Sequence, residues 1–307
     1  MEKIQSAIAK ARAARSQAGA PGAPAVPPPA PLAPAPPGHE APPSAPPDVA
    51  PDVAPDARPA VAEEGPREDQ AAALWAGLPG LRLRPRLLAR HRVVALNGGL
   101  GATEFDVMRT RLLQQMRAQG WRRVAVTSPT PRCGKTTVTL NLAFGLGRQR
   151  DHRTLVAEMD FRRPSIAEAL GIPERHSFSK VLEGEADLAG NAVRHGANLA
   201  FATDRGGLRN PADLLQSERA RRALEGIEAA WRPSVVLLDM PPLLVNDDAM
   251  AFMGQVDCAM IVAAAETTTV KEIDACERAL AAQTSVLGVV LNKCRYMQRV
   301  DRYGDYS

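Results

Sequence analysis

The stretch 124–141, which reads VAVTSPTPRCGKTTVTLN, limits what this chain can fold into more than any other feature of its sequence. It opens with a short apolar run, turns at Pro129 and Pro131, and passes through Gly134 and Lys135 into a helical pattern. A strand, a loop that ends in Gly-Lys-Thr and a helix are the setting of a phosphate-binding P-loop. The sequence therefore predicts a nucleotide site.

The residue types of this loop suit phosphate chemistry. Backbone N–H groups of the loop and of the helix N-terminus cradle phosphate oxygens. Lys135 supplies a charge for the β- and γ-phosphates, and the Thr136 hydroxyl is a ligand for Mg²⁺. Pro129 stands where the first glycine of the motif is expected, and it stiffens that end of the loop. The predicted contacts with the nucleotide are Pro131, Arg132, Cys133, Gly134, Lys135, Thr136 and Thr137.

The N-terminal part of the chain has a composition of its own. Of the 27 prolines, 17 lie between Pro21 and Pro66, in a Pro/Ala-rich stretch that cannot form a core. We expect residues 19–88 to be a disordered, semi-rigid linker and residues 1–18 to form a short basic helix. That helix carries two isoleucines on one face, which favours docking to a partner over membrane insertion. A terminus without function is the alternative.

Charge and cysteine content restrict the partners and the compartment. The net charge of +4 is too small to favour nucleic acid. The four cysteines show no CxxC spacing, which argues against a zinc or disulfide framework and predicts a reducing cytoplasm. No run of 18 apolar residues and no signal peptide is present, so we expect a cytoplasmic protein that reaches the membrane through a partner. Five arginines between Leu81 and Arg92 are predicted to form a solvated basic entry to the domain rather than a phosphate site.

Alternating strand and helix patterns begin near Arg90 and define the predicted domain 89–294. The predicted strands are 93–96, 124–127, 154–159, 199–202, 235–239, 259–263 and 287–291, and the predicted helices are 104–119, 135–150, 213–230 and 270–282. Continuous apolar strands alternating with helices are typical of a parallel sheet covered on both faces. We therefore expect an α/β fold with a doubly wound, mostly parallel sheet of the P-loop NTPase type. Its ligand should bind at the carboxyl ends of the strands.

Two further predicted strands end in carboxylates. Strand 235–239 consists of four apolar residues followed by Asp239, as in a Walker B motif. The strand that includes residues 155–160 places Glu158 and Asp160 on the same side, because side chains alternate along a strand. Beside a phosphate pocket, one of these two carboxylates can hold a metal through water, and the other can orient or deprotonate an incoming hydroxyl.

Together these motifs resemble the bacterial tyrosine kinases of capsule and exopolysaccharide biosynthesis. The resemblance runs from Thr103 to the C-terminus and rests on the P-loop, acid-x-Asp-x-Arg-x-Pro at 158–164 and Asp-x-Pro-Pro at 239–242. Asn-Pro-x-x-Leu-Leu at 210–215 and the strand end at 288–293 add to it. The chain departs from the family pattern at Glu158, where Asp is usual. It also departs at Arg132 and Cys133, where Gly and Glu are favoured, and at Thr103 and Asp106 in the helix used for ring assembly.

The resemblance implies a protein tyrosine autokinase that uses ATP and Mg²⁺. The implied catalytic residues are Lys135, Glu158, Asp160 and Asp239, with Glu158 meeting the tyrosine hydroxyl. The implied metal residues are Thr136, Asp160 and Asp239. Arg162 is a further predicted nucleotide contact, and Asn292 is the predicted contact on the adenine side.

The three tyrosines of the chain, Tyr296, Tyr303 and Tyr306, all lie within the last twelve residues, which predicts a tyrosine-bearing tail at 295–307. The resemblance makes them phosphoacceptors, modified in trans within a homo-oligomer. It also implies a membrane-embedded polysaccharide chain-length or co-polymerase protein as activator, which would recruit this chain to the inner face of the cell membrane.

Two other classes of function fit parts of the same pattern. A nucleotide-gated binding module of the export machinery would clamp a partner and hydrolyse little ATP. A partitioning ATPase of the deviant Walker A kind would carry a lysine five residues before the loop lysine, where this chain has Thr130. That residue argues against the partitioning class.

Overall fold

A computed structural model describes residues 65–173 and 175–294 of the chain. The predicted basic helix 1–18, most of the predicted linker and the tail 295–307 with its three tyrosines lie outside these described residues. The centre of the described domain is a seven-stranded sheet in the order β3-β4-β2-β5-β1-β6-β7. Its strands are β1 (Arg123–Thr127), β2 (Thr154–Glu158), β3 (Ala192–His195), β4 (Leu199–Ala202), β5 (Val235–Asp239), β6 (Cys258–Ala264) and β7 (Ser285–Asn292).

All neighbouring strands run parallel except β3 and β4, which form an antiparallel pair. The central strands are short, continuous apolar runs because both of their faces are covered by helices. The predicted doubly wound sheet is therefore confirmed. The helices are α1 (Gly65–Gly77), α2 (Pro85–Arg90), α3 (Thr103–Gln119), α4 (Lys135–Gly147), α5 (Ile166–Leu170), α6 (Phe178–Leu182), α7 (Pro211–Leu215), α8 (Glu218–Trp231) and α9 (Val270–Ala281).

Two apolar layers hold the helices to the sheet. Helices α2 to α5 cover one face and bury side chains such as Leu112 and Phe144. Helices α1 and α6 to α9 cover the other face, with Phe178 and Leu224 in that layer. Helix α4, which follows the P-loop, is buried along nearly its whole length. Its second half is apolar, and the polar residues of its first half bond to the site and to the segment that enters the domain. Within the described ranges, the longest helices are too polar or too short to cross a bilayer.

The predicted strand 93–96 is wrong, because its backbone groups bond to a side chain instead of to a neighbouring strand. The buried amide of Asn141 accepts hydrogen bonds from the N–H groups of Val94 (2.7 Å) and Ala95 (3.0 Å), and donates one to Arg92 O (2.9 Å). This segment therefore lies along α4 as an extended loop. It ties the polypeptide that enters the domain to the helix of the P-loop.

Two other boundaries also differ from the sequence prediction. The predicted helix 213–230 is divided into α7 and α8 because the Ser217 hydroxyl accepts the N–H of Ala220 at 3.1 Å and caps a new helix. Strand β3 was not predicted. It is only four residues long and joins the sheet through a tight connection to β4.

The folded region begins earlier than the predicted boundary at residue 89. Helix α1 lies against α8, where Trp75 Nε1 donates a hydrogen bond to Trp231 O at 2.7 Å. The two indole rings meet edge to face with their centroids 6.3 Å apart. Glu68 on the same helix pairs with Arg153 at 2.6 Å. The prediction of a linker up to residue 88 is therefore wrong from residue 65 onward, because one buried tryptophan anchors a helix that follows a proline-rich stretch.

We expect Trp75→Ala to lower the free energy of unfolding by about 3–5 kcal/mol, since it removes a large side chain from the core. The matched control is Leu74→Ala on the same helix, where the side chain is exposed and the change should stay within about 1 kcal/mol. Urea unfolding followed by circular dichroism measures both variants. Equal effects of the two substitutions would show that α1 is not part of the cooperative fold.

Candidate nucleotide site

The carboxyl ends of β1, β2 and β5 bring the predicted site residues together. Strand β1 leads into the P-loop, β2 ends at Glu158, and β5 ends at Asp239. The parallel register places Glu158 beside Asp239 and Val126 on the other side of Asp239. The carboxylates predicted from two separate motifs are therefore neighbours at one edge of the sheet, next to the phosphate loop.

The P-loop holds an open cradle of backbone donors. Among the described residues, the N–H groups of Cys133, Gly134 and Lys135 have no hydrogen-bond acceptor. Arg132 (φ +65°) and Gly134 (φ +95°) adopt the left-handed conformation, which curls the chain around that space. A Cβ atom at Gly134 would collide with the amide of Asn292, so only glycine fits there. Unpaired donors at a helix N-terminus are what a phosphate requires.

The last strand holds this cradle in place. Asn292 Nδ2 donates a hydrogen bond to Cys133 O at 2.9 Å, and Lys293 Nζ donates one to Arg132 O at 2.6 Å. Both bonds join the end of β7 to the loop more than 150 residues earlier in the chain. The structure thus assigns Asn292 a role in supporting the loop, and its contact with adenine stays a prediction.

Lys135 and Asp239 form the charged centre of the site. Lys135 is buried at the start of α4. Burial raises the pKa of both Asp160 and Asp239, and the positive charge of Lys135 opposes that increase. Burial is the larger effect on Asp239 and raises its pKa to about 6. Asp239 accepts hydrogen bonds from the Thr136 hydroxyl at 2.6 Å and the Thr139 hydroxyl at 3.4 Å. The hydroxyl and the carboxylate predicted to face Mg²⁺ are therefore already in contact.

Glu158 lies deeper than the sequence predicts. Its side chain is completely buried and accepts hydrogen bonds from the backbone N–H groups of Ser165, Ile166 (2.8 Å) and Asp204 (3.0 Å). Burial raises the pKa of Glu158 to about 8, against the opposing effect of these donors. This placement does not support a direct contact between Glu158 and a tyrosine hydroxyl. The carboxylate instead braces the loop that follows β2.

Asp160 is the carboxylate of this pair that reaches the surface of the site. Its side chain is partly exposed and accepts a hydrogen bond from the N–H of Arg163 at 3.1 Å. Burial of the rest of the side chain raises the pKa of Asp160. Arg162, a predicted nucleotide contact, forms a two-pronged ion pair with the buried Asp248 in which Nη2 and Oδ1 are 3.0 Å apart. Its guanidinium is thus held beside Asp160 rather than free in solution.

The sequence reasoning missed three polar residues at this edge. Ser165 has its hydroxyl 2.8 Å from that of Thr136, and it could have been found as a polar residue directly before an apolar helix. The sequence around Asp248 and around Asp204 contains no motif that predicts a role for either residue. Asp248 lies 86 residues from its partner Arg162, so only the fold reveals the pair.

The site fits a magnesium ion that arrives with a nucleotide. Within the ranges that the structure describes, no three His, Cys, Asp or Glu side chains are grouped closely enough to bind a metal alone. Mg²⁺ is usually held by one or two carboxylates together with phosphate oxygens and water. The pair of Thr136 and Asp239, with Asp160 nearby, supplies that partial set of ligands. The unpaired N–H groups of the P-loop supply the phosphate contacts.

We expect Glu158→Gln to lower the free energy of unfolding by about 1–3 kcal/mol, because its amide nitrogen would face backbone donors that the carboxylate now satisfies. Asp160→Asn, two residues away, should cost less than about 1 kcal/mol, since its side chain is partly exposed. Urea titration at about pH 9, above the raised pKa of Glu158, measures both variants with the wild-type carboxylate ionised. A Glu158→Gln variant as stable as the wild type would mean that the brace is not formed.

Cys133 offers a chemical probe of the P-loop. Burial raises the pKa of its thiol, but hydrogen bonds from Thr130 and Thr268 outweigh that effect, and the pKa is lowered. Burial raises the pKa of Cys258 and Cys276 to about 12. We therefore expect iodoacetamide to modify Cys133 before these two residues, and Mg-ATP to block it. Peptide mapping gives the order, and modification unaffected by Mg-ATP would contradict the predicted nucleotide contact.

Comparisons with known proteins agree with this geometry. No family model matches the chain. Over 170 residues it is 29% identical to tyrosine-protein kinase Etk of Escherichia coli, covering 54% of this chain and 23% of Etk. Over 184 residues it is 27% identical to tyrosine-protein kinase CpsD of Streptococcus pneumoniae, covering 59% of this chain and 79% of CpsD. The chain therefore spans less than a quarter of the length of Etk and most of the length of CpsD.

Comparison with solved structures agrees with the comparison of sequences. The solved kinase domain of Etk matches this structure with a TM-score of 0.58 and 27% identity, over 67% of this chain and 80% of that domain. The resemblance to the bacterial tyrosine kinases is confirmed: this chain is similar in sequence to Etk and CpsD, and its fold is similar to that of the kinase domain of Etk.

Proposed function

We propose that this chain is an ATP-dependent protein tyrosine kinase that phosphorylates its own C-terminal tyrosines. The observation that carries the proposal is the preformed P-loop with Lys135 next to the bonded pair Thr136 and Asp239. Mg-ATP, when bound, supplies the phosphoryl group. The loop N–H groups and Lys135 then bind its phosphates, and Thr136 and Asp239 bind the metal.

Asp160 is the residue that we assign to the acceptor hydroxyl. It shares the site with Lys135, is partly exposed, and has its pKa raised by burial. A carboxylate in that position can orient a tyrosine hydroxyl and accept its proton. Glu158 acts through Asp160 as a positioning residue, because it fixes the loop that follows β2.

The acceptors that we propose are Tyr296, Tyr303 and Tyr306. Lys293, three residues before Tyr296 in the sequence, has its side chain bonded to the P-loop at Arg132 O. Four cationic and two acidic side chains give residues 293–307 a positive charge, which favours entry into an acidic site on a neighbouring subunit. Each phosphate adds about −1.5 to −2 charges, so the modified tail is repelled from it.

The wider setting is proposed from the family resemblance. It is the control of exopolysaccharide or capsule synthesis and export by a cytoplasmic homo-oligomer, with a membrane-embedded chain-length protein as activator. One feature of this chain bears on the oligomer. Asp106, which replaces an arginine of the ring-assembly helix, pairs within its own chain with Arg109 at 3.1 Å and with Arg148. The proposed assembly therefore uses contacts other than that arginine.

We expect Lys135→Met to keep the fold and to lose ATP binding and phosphotransfer together, since one charge is removed from the phosphate cradle. Mixing this variant with an active chain whose three tyrosines are phenylalanine tests transfer in trans. Phosphate should appear on the tyrosines of the Lys135→Met chain, as mapped by mass spectrometry. The control is the Lys135→Met chain with ATP alone, which should stay unmodified.

Two outcomes would contradict parts of the proposal. If wild type labels itself and the mixture does not, phosphorylation occurs within one chain and the trans mechanism is wrong. If wild type binds Mg-ATP in calorimetry but never carries phosphotyrosine, the chain is a nucleotide-gated binding module. Asp160→Asn separates the two steps, because it should remove phosphotransfer while ATP binding falls much less.

A further inference from the structure

A second cavity lies at the opposite edge of the sheet, where β1, β2 and β5 begin. Its volume is about 690 Å³, within the range of small-molecule sites. The turns after α3 and α4 and the turn before β5 form its walls, and α1 closes one side. The P-loop lies at the carboxyl ends of these same strands, so the two sites are at opposite ends of the sheet. The cavity has no part in the proposed phosphotransfer.

The cavity is lined by cations. Five arginines face it, against the two carboxylates of Glu68 and Asp151; the arginines are Arg117, Arg122, Arg150, Arg153 and Arg232. In the part of the chain that the structure describes, the guanidinium groups of Arg122 and Arg150 form no ion pair. The cavity therefore has positive charge that the protein leaves uncompensated.

Two of these arginines are held in place by specific contacts. Arg117 Nη2 lies 3.1 Å from His152 Nε2. Because a guanidinium can only donate, the imidazole nitrogen is the acceptor in this hydrogen bond. Arg232 has φ +49°, a left-handed backbone that glycine would adopt at lower cost.

Glu68 occupies part of the positive surface. It reaches from α1 to Arg153 at 2.6 Å and to Arg232 at 3.6 Å, while half of its side chain stays exposed. A carboxylate shared between two arginines marks a position where an anionic oxygen is favoured, and arginine binds phosphate oxygens in the same way. Exposed ion pairs of this kind contribute little stability, so a stronger anion can displace Glu68.

The cavity wall also offers a flat apolar surface. Trp121 is partly exposed there, beside Leu113 and Met116, whereas the other two tryptophans are buried. An indole face next to arginines suits a ligand with a planar ring and a charged phosphate group. We propose that this cavity binds a nucleoside diphosphate, with its base on Trp121 and its phosphates on Arg117, Arg150 and Arg153, in competition with Glu68 for Arg153.

The simpler interpretation is that the arginines only stabilise the negatively polarised C-terminal ends of helices. Helices α3 and α8 end at this edge, and cations near helix C-termini are favourable. That effect accounts for Arg117 and Arg232, which lie at these ends. It accounts less well for Arg122 and Arg150, each of which lies three residues beyond the end of a helix, α3 or α4, where the effect has largely fallen off. It does not account for the tryptophan on the wall. Binding measurements separate the two readings.

The test uses the full chain with Lys135→Met, so that the P-loop contributes little, and two probes without Mg²⁺: pyrophosphate and UDP. Calorimetry gives affinities, and tryptophan fluorescence reports on Trp121. Arg117→Ala and Arg150→Ala should each weaken both probes about tenfold or more, because each removes a charged hydrogen bond to phosphate. The matched control is Arg111→Ala on α3, outside the cavity, which should change neither affinity more than about twofold.

Two more variants test the parts of the proposal. Trp121→Leu should weaken UDP and leave pyrophosphate unchanged, since pyrophosphate has no ring. Glu68→Gln should strengthen both probes, because it removes the competing carboxylate. Unfolding temperatures confirm that each variant is folded, and Arg150→Lys should restore part of the affinity.

The outcomes that overturn the proposal are specific. Affinities that do not respond to Arg117→Ala or Arg150→Ala would place the binding elsewhere. A Trp121→Leu variant that binds UDP as well as before would remove the base contact. A Glu68→Gln variant that binds more weakly would show that Glu68 shapes the cavity rather than competes for it. None of these results depends on kinase activity, so the proposed function stands or falls separately.

Discussion

The buried carboxylate of Asp239 is the constraint on which the rest of the site depends. It lies at the end of the central strand β5 and is buried. Its neighbour on β2 is Glu158, and its neighbour on β1 is Val126, shortly before the P-loop. Burying an isolated carboxylate costs several kcal/mol, so the charge must be compensated. Lys135 and the hydroxyls of Thr136 and Thr139 provide that compensation from α4. The first two turns of this helix are therefore fixed against the strand that carries the second motif.

The same reasoning explains why two carboxylates of one motif have different roles. Glu158 is inside the sheet layer and is satisfied by backbone N–H groups, whereas Asp160 follows the strand end and remains partly open. Alternation along a strand puts them on the same side, but it does not say how deep each one lies. Depth is set by the segments that fold over the strand end, here the residues around Ser165 and Asp204. Spacing in the sequence alone therefore does not distinguish the carboxylate that faces the site from the one that is buried beneath it.

The sequence was sufficient to predict those parts of the fold that are specified by local sequence patterns. Six of the seven predicted strands coincide with strands of the sheet, because continuous apolar runs of this length can only be buried between helix layers. The P-loop and Asp239 were predictable because each belongs to a motif that is contiguous in the sequence. What could not be predicted depends on distant partners. Asn141 holds the segment that reads as a strand, and Trp75 finds its partner on α8, 156 residues away.

The direction of the sheet accounts for the contrast between its two edges. In a parallel α/β fold, helices begin at the carboxyl ends of the strands and finish at the amino ends, so their dipoles favour anions at one edge and cations at the other. Phosphate loop donors gather at the first edge, and arginines gather at the second. The carboxylates at the first edge run against the dipole preference. They persist there because Lys135 and hydrogen-bond donors hold them, which is the arrangement expected where a metal and a nucleotide add their own charges.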